Sequence, residues 1–258
     1  VCLWVKEYLL NKFNITKRLS EIGIQLTALE KNTKRPFIKN WYGNPVQPED
    51  FDKHSECNVA VLNGEASGNL VDIDLDDQKA VDLAKYYLPE TDLSWGRASK
   101  VKSHWFYRTI EASGPTIQFQ HGNLGTLVEF RGDNSCTMAP PSVHPNGEIV
   151  EFSSDGPPSE IAKSVLQTAT QKLAAATLLA HNWQKGSRHT LTLAISGALL
   201  RNGWTEDGVI NFLKPIVTVV GDEELMDRIN CVKETHRKLS DGSEVTGWPT
   251  VVDTIGDD

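Results

Sequence analysis

Between Asp72 and Asp76, acids alternate with the apolar residues Ile73 and Leu75 in the segment Leu70-Val71-Asp72-Ile73-Asp74-Leu75-Asp76. In an extended strand alternate side chains share a face, roughly 6.5 to 7 Å apart. Asp72, Asp74 and Asp76 then point one way, while Val71, Ile73 and Leu75 enter a core. Carboxylates aligned on one face repel one another, and a cation held between them removes that cost. Oxygen-only ligands suit Mg2+ or Mn2+ rather than zinc. Two such ions about 4 Å apart activate an attacking hydroxyl and stabilise a leaving pyrophosphate. An EF-hand also begins Asp-x-Asp-x-Asp, but here its sixth position is Asp77 and its twelfth Leu83, where the calcium loop needs glycine and glutamate. Two other readings compete: a solvated strand face, and a helix cap, because Asp76 and Asp77 directly precede a helical pattern.

Further along, Ser99, Lys100, Lys102, Ser103 and His104 precede Trp105-Phe106-Tyr107. No G-x-x-x-x-G-K-[ST] loop occurs, and Gly64-x-x-x-Gly68 is no dinucleotide fingerprint. If a nucleoside triphosphate binds, a metal and scattered bases must hold its phosphates; the plain alternative is a solvated basic turn. Leu127-Val128-Glu129-Phe130-Arg131-Gly132 puts Glu129 and Arg131 on one strand face, either as a surface ion pair or as a metal ligand beside a phosphate-holding guanidinium. Ala139-Pro140-Pro141-Ser142-Val143-His144-Pro145-Asn146-Gly147 is a stiff turn carrying Ser142 and His144.

The elements that must position these residues are readable in outline. Apolar spacing predicts helices over Val1 to about Leu10 and over Ile15 to Ile22, then an ordered loop from Asn32 to Pro45. Strands are predicted at Asn58–Leu62, Leu70–Leu75, His104–Arg108, Thr126–Arg131 and Cys136–Ala139, with a helix over Gln78–Leu88 ending at Pro89. Ser153-Ser154-Asp155-Gly156-Pro157-Pro158 reads as a linker. Beyond it helix signals take over: Ser159 to about Trp183, then a helix capped by Ser187, another capped by Thr205 and ended or kinked by Pro215, and a last one from Asp222-Glu223-Glu224 towards Lys238. We therefore expect two domains, an α+β catalytic domain with a mixed sheet over 1–155 and a small all-α bundle over 159–258.

The 258 residues carry a net charge of −8, which argues against a protein that coats nucleic acid broadly. A local grip is compatible, since Arg97, Lys100, Lys102 and Arg108 lie in an acid-free window from Gly96 to Arg108. Cys2, Cys57, Cys136 and Cys231 are far apart with no C-x-x-C pair, and read as reduced thiols of a cytoplasmic protein. His54-x-x-Cys57 has ligand-like spacing but lacks a second pair of ligands. No apolar run approaches a bilayer span, so no membrane contact is expected. The chain starts at Val1 and stops at Asp257-Asp258, which we read as a piece of something longer.

Asp72-x-Asp74, Ser103-His104, Glu129-x-Arg131-Gly132 and Pro140-Pro141-Ser142-x-His144-x-x-Gly147 occur in that order. The set resembles the primase-polymerase (Prim-Pol) domain of the archaeo-eukaryotic primase superfamily, as carried by plasmids, phages and other mobile elements. It covers roughly Ile24 to Phe152; Lys34-Arg35-Pro36 with Trp41 resembles the family's opening segment. The resemblance implies a template-directed DNA primase or polymerase working with two Mg2+ or Mn2+ ions on single-stranded DNA template, primer strand and NTP or dNTP. It puts Asp72, Asp74 and Glu129 on the metals and His104 on the nucleotide phosphates. Arg131, Ser142 and His144, with Ser99, Lys100, Lys102 and Ser103, would line the nucleotide site. Asp76 departs from the family's usual two acids, so the metal pair could instead be Asp74 and Asp76. Trp183-x-x-Gly186-Ser187-Arg188-His189 is similar to helical modules that follow such domains; it makes Arg188, His189, Arg201 and Lys214 template contacts, along with Lys34 and Arg35. A helicase, fused or separate, is the partner this architecture implies. A non-catalytic nucleotide- or DNA-binding module of a replication initiator and a metal-dependent nuclease are the rival readings.

Overall fold

The computed structural model describes residues 3–54 and 56–256. Cys2 and Asp257-Asp258 lie outside the described residues, as does the side chain of His54, so the His54–Cys57 pair is not among them. In chain order the elements are α1 (Leu3–Glu21), β1 (Leu26–Leu29), β2 (Asn58–Leu62), β3 (Leu70–Leu75), α2 (Gln78–Tyr87), β4 (Leu93–Arg97), β5 (Lys100–Thr109) and β6 (Ile117–His121). There follow β7 (Gly125–Arg131), β8 (Cys136–Ala139), β9 (Glu151–Asp155), β10 (Ser159–Ile161), α3 (Lys163–Asn182), α4 (Arg188–Arg201), α5 (Glu206–Val219), α6 (Leu225–Ser240) and α7 (Trp248–Ile255). The expected α+β class holds. One compact unit comprises residues 1–76, 89–118 and 128–170, and the other 77–88, 119–127 and 171–258.

The first unit is built on two sheets. β1, β2 and β8 form a small antiparallel one, and the larger runs β6-β7-β3-β5-β4-β9, with β10 parallel to β5. That single parallel pair makes the sheet mixed, as expected. β3 is central, buried on its apolar face by Val71, Ile73 and Leu75, none of which is exposed. The core between the sheets centres on Trp95, whose ring lies 3.8 Å from that of Phe106 and meets Phe152 edge-on, while its Nε1 donates to Met138 O at 2.9 Å. Removing a fully buried aromatic costs about 3–5 kcal/mol. Trp95→Ala is accordingly expected to lose stability of that order, read from the midpoint of urea unfolding. Next to it, Gly96 sits where the β4–β5 register slips, and a Cβ there would lie 2.3 Å from Lys100 O, so this bulge admits only glycine.

In the second unit α4 packs on α6 and α7, and α5 packs on α6 and α2. Thr205 Oγ1 accepts from Gly208 N at 3.0 Å, as a capping threonine should. Asp77, not Asp76, caps α2, accepting from Lys79 N at 2.8 Å.

Several local expectations are corrected. The two N-terminal helices are one continuous α1. Ser153–Asp155 lie in β9, and Ser159 opens β10, so the first half of the stretch read as a linker belongs to the sheet and Gly156-Pro157-Pro158 connect two of its strands. Both strands are polar, and their partners β4 and β5 define them more than their own residue types do. Ser187 precedes α4 but donates backwards to Asn182 O and Gln184 O instead of capping. Pro215 stays inside α5, where buried Phe212, Leu213, Ile216 and Val217 offset its missing N–H. Among the described residues, no helix is long and apolar enough to cross a membrane.

Candidate active site

Register assembles the site. β3 is flanked by β5 and β7, both antiparallel to it, and Asp74 stands opposite His104 on one side and Glu129 on the other. Asp72 likewise faces Phe106 and Arg131. Residues directly opposite across an antiparallel pair share a face. Three strands thereby deliver Asp72, Asp74, His104, Glu129 and Arg131 to one surface of the sheet, and Asp76 continues the row just past the end of β3.

The aspartates differ in depth. Asp72 is fully buried; Thr137 Oγ1 donates to its Oδ2 at 2.7 Å, and His104 Nδ1 to the same oxygen at 3.0 Å. Asn63 Nδ2 donates in turn to Thr137 Oγ1 at 3.0 Å. Asp74 lies nearer the surface, 3.4 Å from His104 Nδ1 and 3.2 Å from Arg131 Nη1. Arg131 Nε is 3.6 Å from Glu129 Oε2, and Nη2 donates to Cys136 O at 2.9 Å. Gln118 Nε2 donates to Glu129.

Two overlapping groups bring donor atoms within 4.8 Å of one another: Asp72, Asp74 and His104, and the all-carboxylate Asp74, Asp76 and Glu129. The second set suits a hard divalent ion. Its electrostatics fit too. Burial, then the repulsion of Asp74, raises the Asp76 carboxyl above its ordinary pKa, with Lys100 and Lys34 working the other way. Burial also raises Glu129; Gln118 and Arg131 only partly counter it. Burial opposes charge on His104, but Asp74 and Asp72 outweigh it and raise its pKa. Four carboxylates gather there with Arg131 and His104, an excess of acidic groups that divalent cations would offset.

Beside this cluster opens a cavity of about 280 Å3. Lys34, Arg97, Ser103, His104, Arg131 and His144 line it. Ser103 is 1% exposed and its Oγ has no hydrogen-bond partner among the described residues. Arg97 pairs with Glu148 at 3.1 Å, and Glu148 is held down to about 2 by hydrogen bonds from Ser99 and Asn146.

Other expected contacts lie elsewhere. Ser142 is buried, accepting from Val59 N and donating to Val59 O, so its hydroxyl fixes the turn to β2. Ser99 is spent on Glu148 through both N and Oγ. Lys100 Nζ donates to Asp76 O at 2.5 Å, and Lys102 Nζ covers the Trp105 ring at 3.8 Å. Arg35 is exposed and does not line the cavity. In the helical unit Arg188 is buried against Asp222 and also pairs with Glu223, while Arg201 is exposed and donates to Val245 O and Thr246 O. His189 is exposed. Arg97 is readable from sequence only as part of the basic window, and Thr137 and Asn63 carry no site signal of their own. Thr137 was legible only as part of a strand, since nothing local tells that it faces Asp72.

A mixed-sheet α+β domain with a carboxylate cluster beside a cationic cavity is the class of protein that these features define. The family model for the N-terminal domain of bifunctional DNA primase/polymerases, Prim-Pol, matches residues 16–164. The chain belongs to that family, and the resemblance carried by its motifs is borne out. Its activity is thereby of the DNA primase/polymerase kind, with DNA and nucleotides as substrates, and divalent metals are what such domains generally use. No curated protein matches the chain.

Proposed function

We propose that the chain carries out template-directed nucleotidyl transfer for the replication of a plasmid, phage or similar element, with Asp74, Asp76 and Glu129 as the ligands of two Mg2+ or Mn2+ ions. The observation that carries this is the register that sets Asp74 between His104 and Glu129, with Asp76 next in the row. When bound, such ions lower the pKa of an attacking hydroxyl and stabilise the departing pyrophosphate. Arg131 keeps Asp74 and Glu129 oriented towards one another and offers a donor to a phosphate oxygen. His104, held through Nδ1 beside Asp72 and Asp74, presents its other ring nitrogen to the phosphates, and Lys34 and Arg97 supply positive charge in the cavity. Asp72 is assigned to positioning: with Thr137 it holds His104 from below. The helical residues after the sheet serve as an accessory module that steadies the template.

His104→Gln keeps a donor but loses the imidazole held beside Asp72 and Asp74. A charged hydrogen bond is worth about 1.5–3 kcal/mol, so the KM for nucleotide should rise by roughly ten- to a hundredfold, with kcat less affected; steady-state kinetics of incorporation checks this. The reaction class is tested by incubating the protein with primed and unprimed single-stranded DNA, nucleotides and Mg2+ or Mn2+. Lengthened or newly made strands are expected. Shortened DNA would favour a nuclease, and binding without turnover a non-catalytic initiator module.

A further inference from the structure

We propose that His189, Asp227 and Cys231 form a second metal site, for a zinc-class ion, that ties α4 to α6. Asp227 and Cys231 are four residues apart on α6 and so share a helix face. α4 packs against that face and brings His189, from its first turn, to it. His189 Nδ1 lies 3.5 Å from Cys231 Sγ, and one donor atom of each of the three residues falls within 4.8 Å of the others. A tetrahedral zinc with Zn–N near 2.05 Å and Zn–S near 2.3 Å separates its two donors by about 3.6 Å. The pair is thus already spaced as ligands.

The donor set is nitrogen, oxygen and sulfur. A thiolate with an imidazole selects zinc or cobalt over Mg2+ and Mn2+, the reverse of the preference at Asp74, Asp76 and Glu129. Cys231 is buried while His189 and Asp227 are exposed and line an open groove of about 450 Å3, which leaves a fourth position to water. The cation nearest Asp227 is Arg228, at 3.6 Å, and it is already committed to Asp222 and Glu224. Binding would displace the thiol proton and the weak Sγ–imidazole contact with bonds that fasten the start of α4 to the first half of α6.

The test uses the whole chain, stripped of metal with a chelator and titrated with Co2+. A thiolate-to-cobalt charge-transfer band saturating near one equivalent, and displaced by Zn2+, is expected. Cys231→Ser and His189→Gln should each weaken binding by more than about a hundredfold, while Asp74→Asn leaves it unchanged. A wild-type protein without the band, or a band that survives in Cys231→Ser, overturns the site. Should Cys231→Ser fail to fold, exposed His189→Gln decides: undiminished Zn2+ protection of the Cys231 thiol from alkylation, located by mass spectrometry, refutes the assignment.

Discussion

Asp76→Asn and Glu129→Gln are each expected to slow nucleotide incorporation by about a thousandfold, because a ligand to a catalytic cation carries several kcal/mol of transition-state stabilisation. Both residues sit in the carboxylate group with Asp74, and both are raised in pKa chiefly by burial, with repulsion inside the cluster adding to it. Replacing either by an amide relieves that repulsion, so the apo protein should melt no lower than wild type while losing activity. Asp72→Asn should behave in the opposite way. Its carboxylate is closed off from the surface and serves His104 and Thr137. That variant should lose stability and raise the KM for nucleotide through a loosened His104, with a smaller change in kcat. Thermal melting together with single-turnover incorporation separates the two patterns. If Asp72→Asn were as inactive as Asp76→Asn with an unchanged melting temperature, the metal pair would be Asp72 and Asp74 instead.

Asp222→Ala is expected to destabilise the helical unit by about 3–5 kcal/mol, the cost of leaving a buried charge without its partner. Asp222 accepts from Trp183 Nε1 at 2.9 Å, Arg228 Nε at 3.0 Å, Arg188 Nη1 at 2.5 Å and Glu224 N at 3.1 Å. Arg228 is itself buried, with 4% of its side chain exposed, so truncation leaves its guanidinium only the exposed carboxylates of Glu224 and Asp227. Burial alone would push the Asp222 carboxyl up, but the hydrogen bonds from Trp183 and Arg228, with the other two, hold it well below the ordinary carboxylate range. A depressed folded-state pKa contributes stability that is complete above the unfolded value, about 3.9, and is lost as pH falls through the folded one. Wild-type stability should therefore decline as pH drops below about 4. Asp222→Asn should start lower at neutral pH and decline less, as measured by urea midpoints across that range.

The face proposed as catalytic was legible because its signal is local. Alternation of Asp72, Asp74 and Asp76 about Ile73 and Leu75, and of Glu129 with Arg131, is a property of single strands, and both strands formed where the pattern placed them. The depth of each acid was not local. Asp72 is deepest because Thr137, sixty-five positions away, sits on it. β4, β9 and β10 escaped notice for a similar reason: Leu93-Ser94-Trp95-Gly96-Arg97 and Glu151–Asp155 become strands by pairing with distant segments. Charged helix residues carry no sign of their fate. Arg188 and Arg201 read alike as phosphate contacts, yet one is buried against Asp222 and the other stays exposed beside loop carbonyls. Ser142 shares a turn with His144, but the turn's geometry sends only the histidine to the cavity.

The central claim, that the Asp74–Asp76–Glu129 cluster supports metal-dependent nucleotidyl transfer, is tested most directly by single-nucleotide incorporation on a primed template, comparing wild type with Asp74→Asn. The wild type should extend the primer by the complementary nucleotide only when Mg2+ or Mn2+ is supplied, and the folded variant should not extend it at either ion. Extension by Asp74→Asn at the wild-type rate, or wild-type extension undiminished by a chelator, would contradict the account.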